Sequence, residues 1–135
     1  MEQITLKIPV TIKAKVTDDL KKRLAADLQE TVHKIDAELQ QIDFQAKRIM
    51  ADQAKVDPQG LVAIRQQVDA EKQKRLDAKT QYLDKIKDVA QLEIGAEIVQ
   101  GQMEGVFTFK PGDSLHAAMG TEILLEDGKI LAIRS

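Results

Sequence analysis

Gly112-Asp113-Ser114-Leu115 spells a motif in which serine serves as a hydrolase nucleophile. That chemistry needs a histidine base and an oxyanion hole around the serine. Hydrolases with this motif carry the serine early, on a parallel-sheet α/β fold, with Asp-x-x-His near the end. Here Ser114 stands near the end of the 135 residues and only His116 follows it. The reading adopted is a Pro-Gly turn in which Asp113 and Ser114 bond the backbone.

The other chemical candidates are weaker. His33 and His116 are the only histidines, and neither has a second ligand at metal-site spacing. Cysteine is absent, which excludes disulfides, thiolate zinc and a thiol nucleophile. Gly95, Gly101 and Gly105 have the wrong spacing for a dinucleotide loop. No catalytic residue, cofactor or metal is expected. Two basic clusters, Lys21-Lys22-Arg23 and Lys72-Gln73-Lys74-Arg75, could touch phosphates. Both lack interleaved aromatics and are flanked by acids, and the net charge is −2, so nucleic-acid binding is not expected.

A different kind of site is suggested by Phe44. It falls opposite the apolar seam of a long helix, on a face shared with Ala37 and Ala51 and with Met50 nearby. A large aromatic on an outer face is a candidate anchor for another chain, against the plain alternative of a lone surface aromatic.

The elements that position these residues follow from hydrophobic period. Ile4, Leu6, Ile8, Val10, Ile12, Ala14 and Val16 alternate with polar residues, which predicts a strand with one buried face. Pro9 marks an edge, a bulge or a break in it. Thr17-Asp18-Asp19 reads as a helix start. Leu28, Val32, Ile35, Leu39, Ile42, Ala46, Ile49, Gln53 and Val56 then recur with gaps of four and three, a heptad seam with one polar member.

Val56-Asp57-Pro58-Gln59-Gly60 forms a tip, with Asp57 as N-cap and Pro58 at the first helical position of a second helix. Its apolar set is Leu61, Ile64, Val68, Leu76, Leu83, Ile86 and Ala90, with a skip between Val68 and Leu76. So short a link predicts an antiparallel coiled-coil hairpin, about 50 Å long at roughly 35 residues per helix.

Beyond Gly95, read as the C-cap of the second helix, short apolar runs alternate with turns. Glu97–Gln102, Val106–Phe109, Glu122–Leu125 and Ile130–Ile133 read as strands. Lys110-Pro111-Gly112-Asp113 reads as a type II turn and Glu126-Asp127-Gly128-Lys129 as a type I′ hairpin. The predicted fold is α+β: a small five-stranded antiparallel sheet or barrel from 1–16 plus 95–135, with 17–94 inserted as the hairpin arm.

Charge supports that division. Of 20 basic and 22 acidic residues, residues 17–92 hold 14 of each, as a solvated, salt-bridged arm should. No signal-like segment or long apolar run is present, so a cytoplasmic protein without membrane contact is expected.

The order of features resembles the YlqD family of bacterial proteins: an alternating first strand, a long hairpin, Gly95-Ala96-Glu97-Ile98-Val99-Gln100-Gly101, the Gly112-Asp113 turn and the closing Leu125-Glu126-Asp127-Gly128-Lys129-Ile130 hairpin. The resemblance implies a cytoplasmic bacterial protein and carries over no catalytic residue. The expected function is non-catalytic: a protein-interaction or assembly module acting through the arm, with homo-oligomerisation. The alternatives are a holdase-like chaperone, which would want apolar residues at the tip where only Val56 and Leu61 stand, and an RNA-polymerase- or ribosome-associated factor using the hairpin. Asp52 and Asp57 are too separated for a tip that holds Mg²⁺. A membrane-fusion-type adaptor shares the topology but would need an export signal or anchor.

Overall fold

A computed structural model describes residues 2–135. The element order is β1 (Ile4–Lys15), α1 (Asp18–Val56), a 3₁₀ turn (Pro58–Gly60), α2 (Leu61–Gln91), β2 (Glu97–Phe109), α3 (Leu115–Met119), β3 (Glu122–Glu126) and β4 (Lys129–Arg134). The chain divides into two units. One holds the residues up to Lys22 together with Leu92–Ser135, and the other is Arg23–Gln91.

The first unit is built on a four-stranded mixed sheet of order β2-β1-β3-β4. This corrects two expectations, five strands and purely antiparallel pairing. Glu97–Gln102 and Val106–Phe109 are one strand rather than two, because Gly101 and Gly105 lie within it. Gly101 follows a bulge at Gln100. Gly105 has no Cβ because the Phe107 ring and Val10 occupy that space. β1 pairs antiparallel with β2 over its whole length and parallel with β3 from Thr11 to Ala14.

The alternation of β1 holds, with Ile8, Val10 and Ala14 buried on one face, Leu6 and Ile12 half-buried, and Val16 just beyond the strand fully buried, while Ile4 at its start is exposed. The Thr11 N–H donates to Thr121 O at 3.2 Å, so odd residues of β1 turn their backbone groups toward the β3 side. Pro9 is odd and lies before the stretch paired with β3, so its missing N–H costs the β1–β2 ladder nothing.

The turns form as their residues dictate. Asp127 (φ 49°) and Gly128 (φ 83°) have the two positive φ values of a type I′ turn. At Lys110–Asp113, Gly112 has φ 99° and the Asp113 N–H donates to Lys110 O at 3.1 Å. Gly95 differs from the reading as a C-cap: α2 ends at Gln91, and Gly95 (φ 91°) serves a following turn in which the Ala96 N–H donates to Glu93 O.

The second unit is the helical hairpin. Three ion pairs cross it and fix an antiparallel register: Asp43–Lys72 at 2.7 Å, Asp36–Lys79 at 2.7 Å and Glu38–Arg75 at 3.4 Å. On α1 the seven-residue stripe faces inward, with Val32, Ile35 and Ala46 buried, while Ile49 and Val56 are exposed. On α2 the stripe departs from expectation. The half-buried stripe runs Leu61, Ile64, Val68, Glu71, Arg75, Ala78, Tyr82, Ile86 and Val89, a three–four alternation but for one extra step of four, with half-buried Lys72 and Lys79 on its flank where they pair with α1. There is no skip. Leu76, Leu83 and Ala90 are exposed. The helix keeps a straight heptad by placing Glu71 and Arg75 in the stripe, where they bond each other.

At the tip, the Asp57 carboxylate accepts from the Gln59 N–H at 3.1 Å, and Pro58 opens the turn. Gln53, the polar member of the α1 seam, donates to Asp57 O at 3.0 Å, and its amide lies over Gly60, where an added side chain would push it aside. Its polarity thus closes the tip.

Candidate functional site

Ser114 stands at the N-terminus of α3, and its Oγ accepts from the Ala117 N–H at 3.1 Å. The Asp113 carboxylate accepts from the Lys110 N–H at 2.9 Å. Both residues bond the backbone, as the turn reading requires. His33 and His116 are exposed. Among the described residues no group of three or more His, Asp or Glu could hold a metal ion.

Lys21 of the first basic cluster, and Lys72, Lys74 and Arg75 of the second, are engaged by the chain itself. The Lys21 ammonium donates to Leu92 O at 2.9 Å. In the second cluster, Lys72 is bonded to Asp43, Lys74 faces Glu71 at 3.6 Å, and Arg75 is shared by Glu71 and Glu38. The hydrogen bond to Asp43 raises the Lys72 pKa, and the bond to Glu71 raises that of Arg75. Glu71 is lowered in turn, first by the Arg75 bond and then by the Lys74 charge. At the second cluster a phosphate would have to displace carboxylates already in place.

Phe44 is 70% exposed, the largest apolar side chain so presented on α1. Ala37 and Ala51 are exposed one heptad on either side of it, on the same face. Met50 is half-buried and turned about 120° from Phe44, toward the flank that carries Asp36 and Asp43. The stripe is therefore Ala37-Phe44-Ala51, with small residues on either side of one ring. At the tip, Val56 is 84% exposed and Val62, just past the 3₁₀ turn, is 65% exposed.

Two further features were not read from the sequence. One is a groove of about 380 Å³ between the helices, lined by Ile42, Ala46, Ile49, Ile64 and Val68 with Glu71 and Arg75. The skip placed on α2 hid it. The other is an ion-pair network on the sheet. Lys13 meets Glu122 at 2.7 Å, and Arg134 meets Glu122 at 3.1 Å and Glu97 at 2.6 Å. The Glu97–Arg134 contact links the two edge strands, β2 and β4, across one face. Strand register decides these neighbours, and no local spacing signals them.

A long helical hairpin inserted between the first two strands of a mixed four-stranded sheet defines the class of this α+β chain. The model of the YlqD protein family matches residues 4–134, essentially the whole chain. The chain belongs to that family, as the resemblance implied. It is also similar to a protein of unknown function from Synechococcus sp. WH 8102. The match to that crystal structure has a TM-score of 0.78 and 26% identity, over 98% of this chain and 95% of that one. No curated protein matches. Neither the family nor this neighbour points to a catalytic activity. Among the described residues, no helix is long and apolar enough to cross a membrane.

Proposed function

We propose that this protein is a non-catalytic interaction or assembly module that works through its helical hairpin, a coiled-coil arm. The observation that carries the reading is Phe44, 70% exposed on the outer face of α1 between Ala37 and Ala51. An aromatic ring flanked by small residues suits close approach of a second helix, and such anchors dominate helical interfaces. A second copy of α1 supplies the matching stripe, and the arm's equal numbers of acidic and basic residues make like-with-like approach electrostatically permissive.

Sedimentation velocity of the full chain against Phe44→Ala tests this. Self-association that Phe44→Ala weakens about tenfold or more is expected, since anchor truncations cost about 2 kcal/mol. Association that Phe44→Ala leaves unchanged removes α1 as the surface.

A holdase-like role is the second reading. Val56 and Val62 give the tip the apolar exposure such a role needs. Suppression of client aggregation that is lost in Val56→Ser/Val62→Ser supports it. A variant as active as the parent, or a parent without activity, removes it.

A further inference from the structure

The open edge of β2 lies in a different unit from Phe44. β2 ends the sheet order, so one side of it has no strand partner among the described residues. Even residues of β1 turn their backbone groups toward β2, and they stand opposite Gly101, Met103, Gly105, Phe107 and Phe109. The N–H and C=O groups of Gln102, Glu104, Val106 and Thr108 therefore point away from β1, to the open side.

Exposed edges are ordinarily blunted by lysine, proline, a bulge or short length. The stretch from Gly101 to Phe109 has none of these. Its bulge lies before it at Gln100, and Glu104 is its single charge. Glu97, on the other side of the bulge, is held by Arg134 of β4. The chain thus engages the start of its own edge and leaves nine residues ready to pair.

We infer that Gly101–Phe109 pairs antiparallel with the same segment of a second copy, about a two-fold axis at Gly105. Charge and pattern select that occupant. Gly105 is the midpoint of the segment, so the register of greatest overlap sets Gly105 against itself. Met103 then faces Phe107, Glu104 faces Val106 and Gln102 faces Thr108. Each of the last two pairs joins residues whose backbone groups already point outward, so the ladder closes with donors and acceptors matched. No like charges are opposed. Met103, 66% exposed in the single chain, gains the ring of the second copy's Phe107, a favourable sulfur–aromatic contact. Moving the axis one residue, to Glu104, would set two carboxylates face to face, so the charge pattern disfavours that register.

The test is sedimentation velocity on the full chain in the Phe44→Ala background, so that association through α1 cannot mask the result. Val106 is 70% exposed, so its substitution spares the folded chain. Val106→Glu sets each new carboxylate against Glu104 of the second copy, and the dimer weakens on the order of tenfold. Val106→Lys sets an ammonium there instead and leaves the dimer as tight or tighter. Circular dichroism checks that both variants fold. A parent that is strictly monomeric at hundreds of micromolar overturns the inference. So does equal behaviour of the Glu and Lys variants. The Phe44 reading fails separately, if Phe44→Ala leaves the association of the parent chain unchanged.

Discussion

Arg134 shows how much of this molecule rests on single residues brought together from distant places in the chain. It bonds Glu97 and Glu122, and Lys13 completes the set from β1. The Arg134 bond holds the Glu97 carboxyl below the ordinary carboxylate range, and the Lys13 bond does the same for Glu122. The unfolded chain lacks these cations, so its carboxyls take up protons first as pH falls. The stabilisation is complete above the ordinary range and is lost as pH drops through the lowered folded values. The urea midpoint of the parent should therefore fall further between about pH 7 and about pH 3 than that of Arg134→Met. Equal falls would remove the network as the cause. None of these four residues stands out in the sequence, because Lys13 and Arg134 reach the same Glu122 only through the register of β1, β3 and β4. Ser114 and Asp113 were legible, since turn and cap chemistry is local.

At the scale of elements, α1 was readable because its stripe is apolar and regular. α2 was not, because Leu76 and Leu83 look like seam residues in the one-dimensional pattern. The straight helix instead turns Glu71 and Arg75 inward, where they bond each other, with Glu38 reaching Arg75 from α1. With 45% and 32% of the Glu71 and Arg75 side chains accessible, this pair is solvated and contributes little, whereas apolar side chains lining the groove between the helices would bury area in its place. Glu71→Leu/Arg75→Leu should raise the melting temperature of the hairpin, read by circular dichroism. Glu71→Leu alone should gain less, because Arg75 then keeps only Glu38. A double variant that melts below both the parent and the single one would show that the pair stabilises the fold rather than merely fitting it. β2 was misread for the opposite reason. Its glycines look like turns, yet one follows a bulge and the other makes room for Phe107.

For the whole molecule, the two proposed surfaces lie on different units, and if both act they build an assembly larger than a dimer. Phe44→Ala should leave pairs joined through β2, and Val106→Glu should leave pairs joined through α1. The double variant Phe44→Ala/Val106→Glu should sediment as a monomer, whereas a double variant that still associates would require a third surface. What the sequence determined by itself is what local physics controls. That covers the helix start at Thr17, the Asp57 cap of the tip turn, the turns at Gly112 and Gly128, the buried face of β1 and the hairpin between the strands. Capping, positive φ and hydrophobic period act over a few residues, and so can be read in order along the chain. The tertiary structure decided the parallel pairing of β1 with β3, the single long β2, the inward turn of Glu71 and Arg75, and the partners of Arg134. Each of these depends on which segments lie side by side. That choice is made by the packing of the whole chain, and the period of any one segment does not fix it.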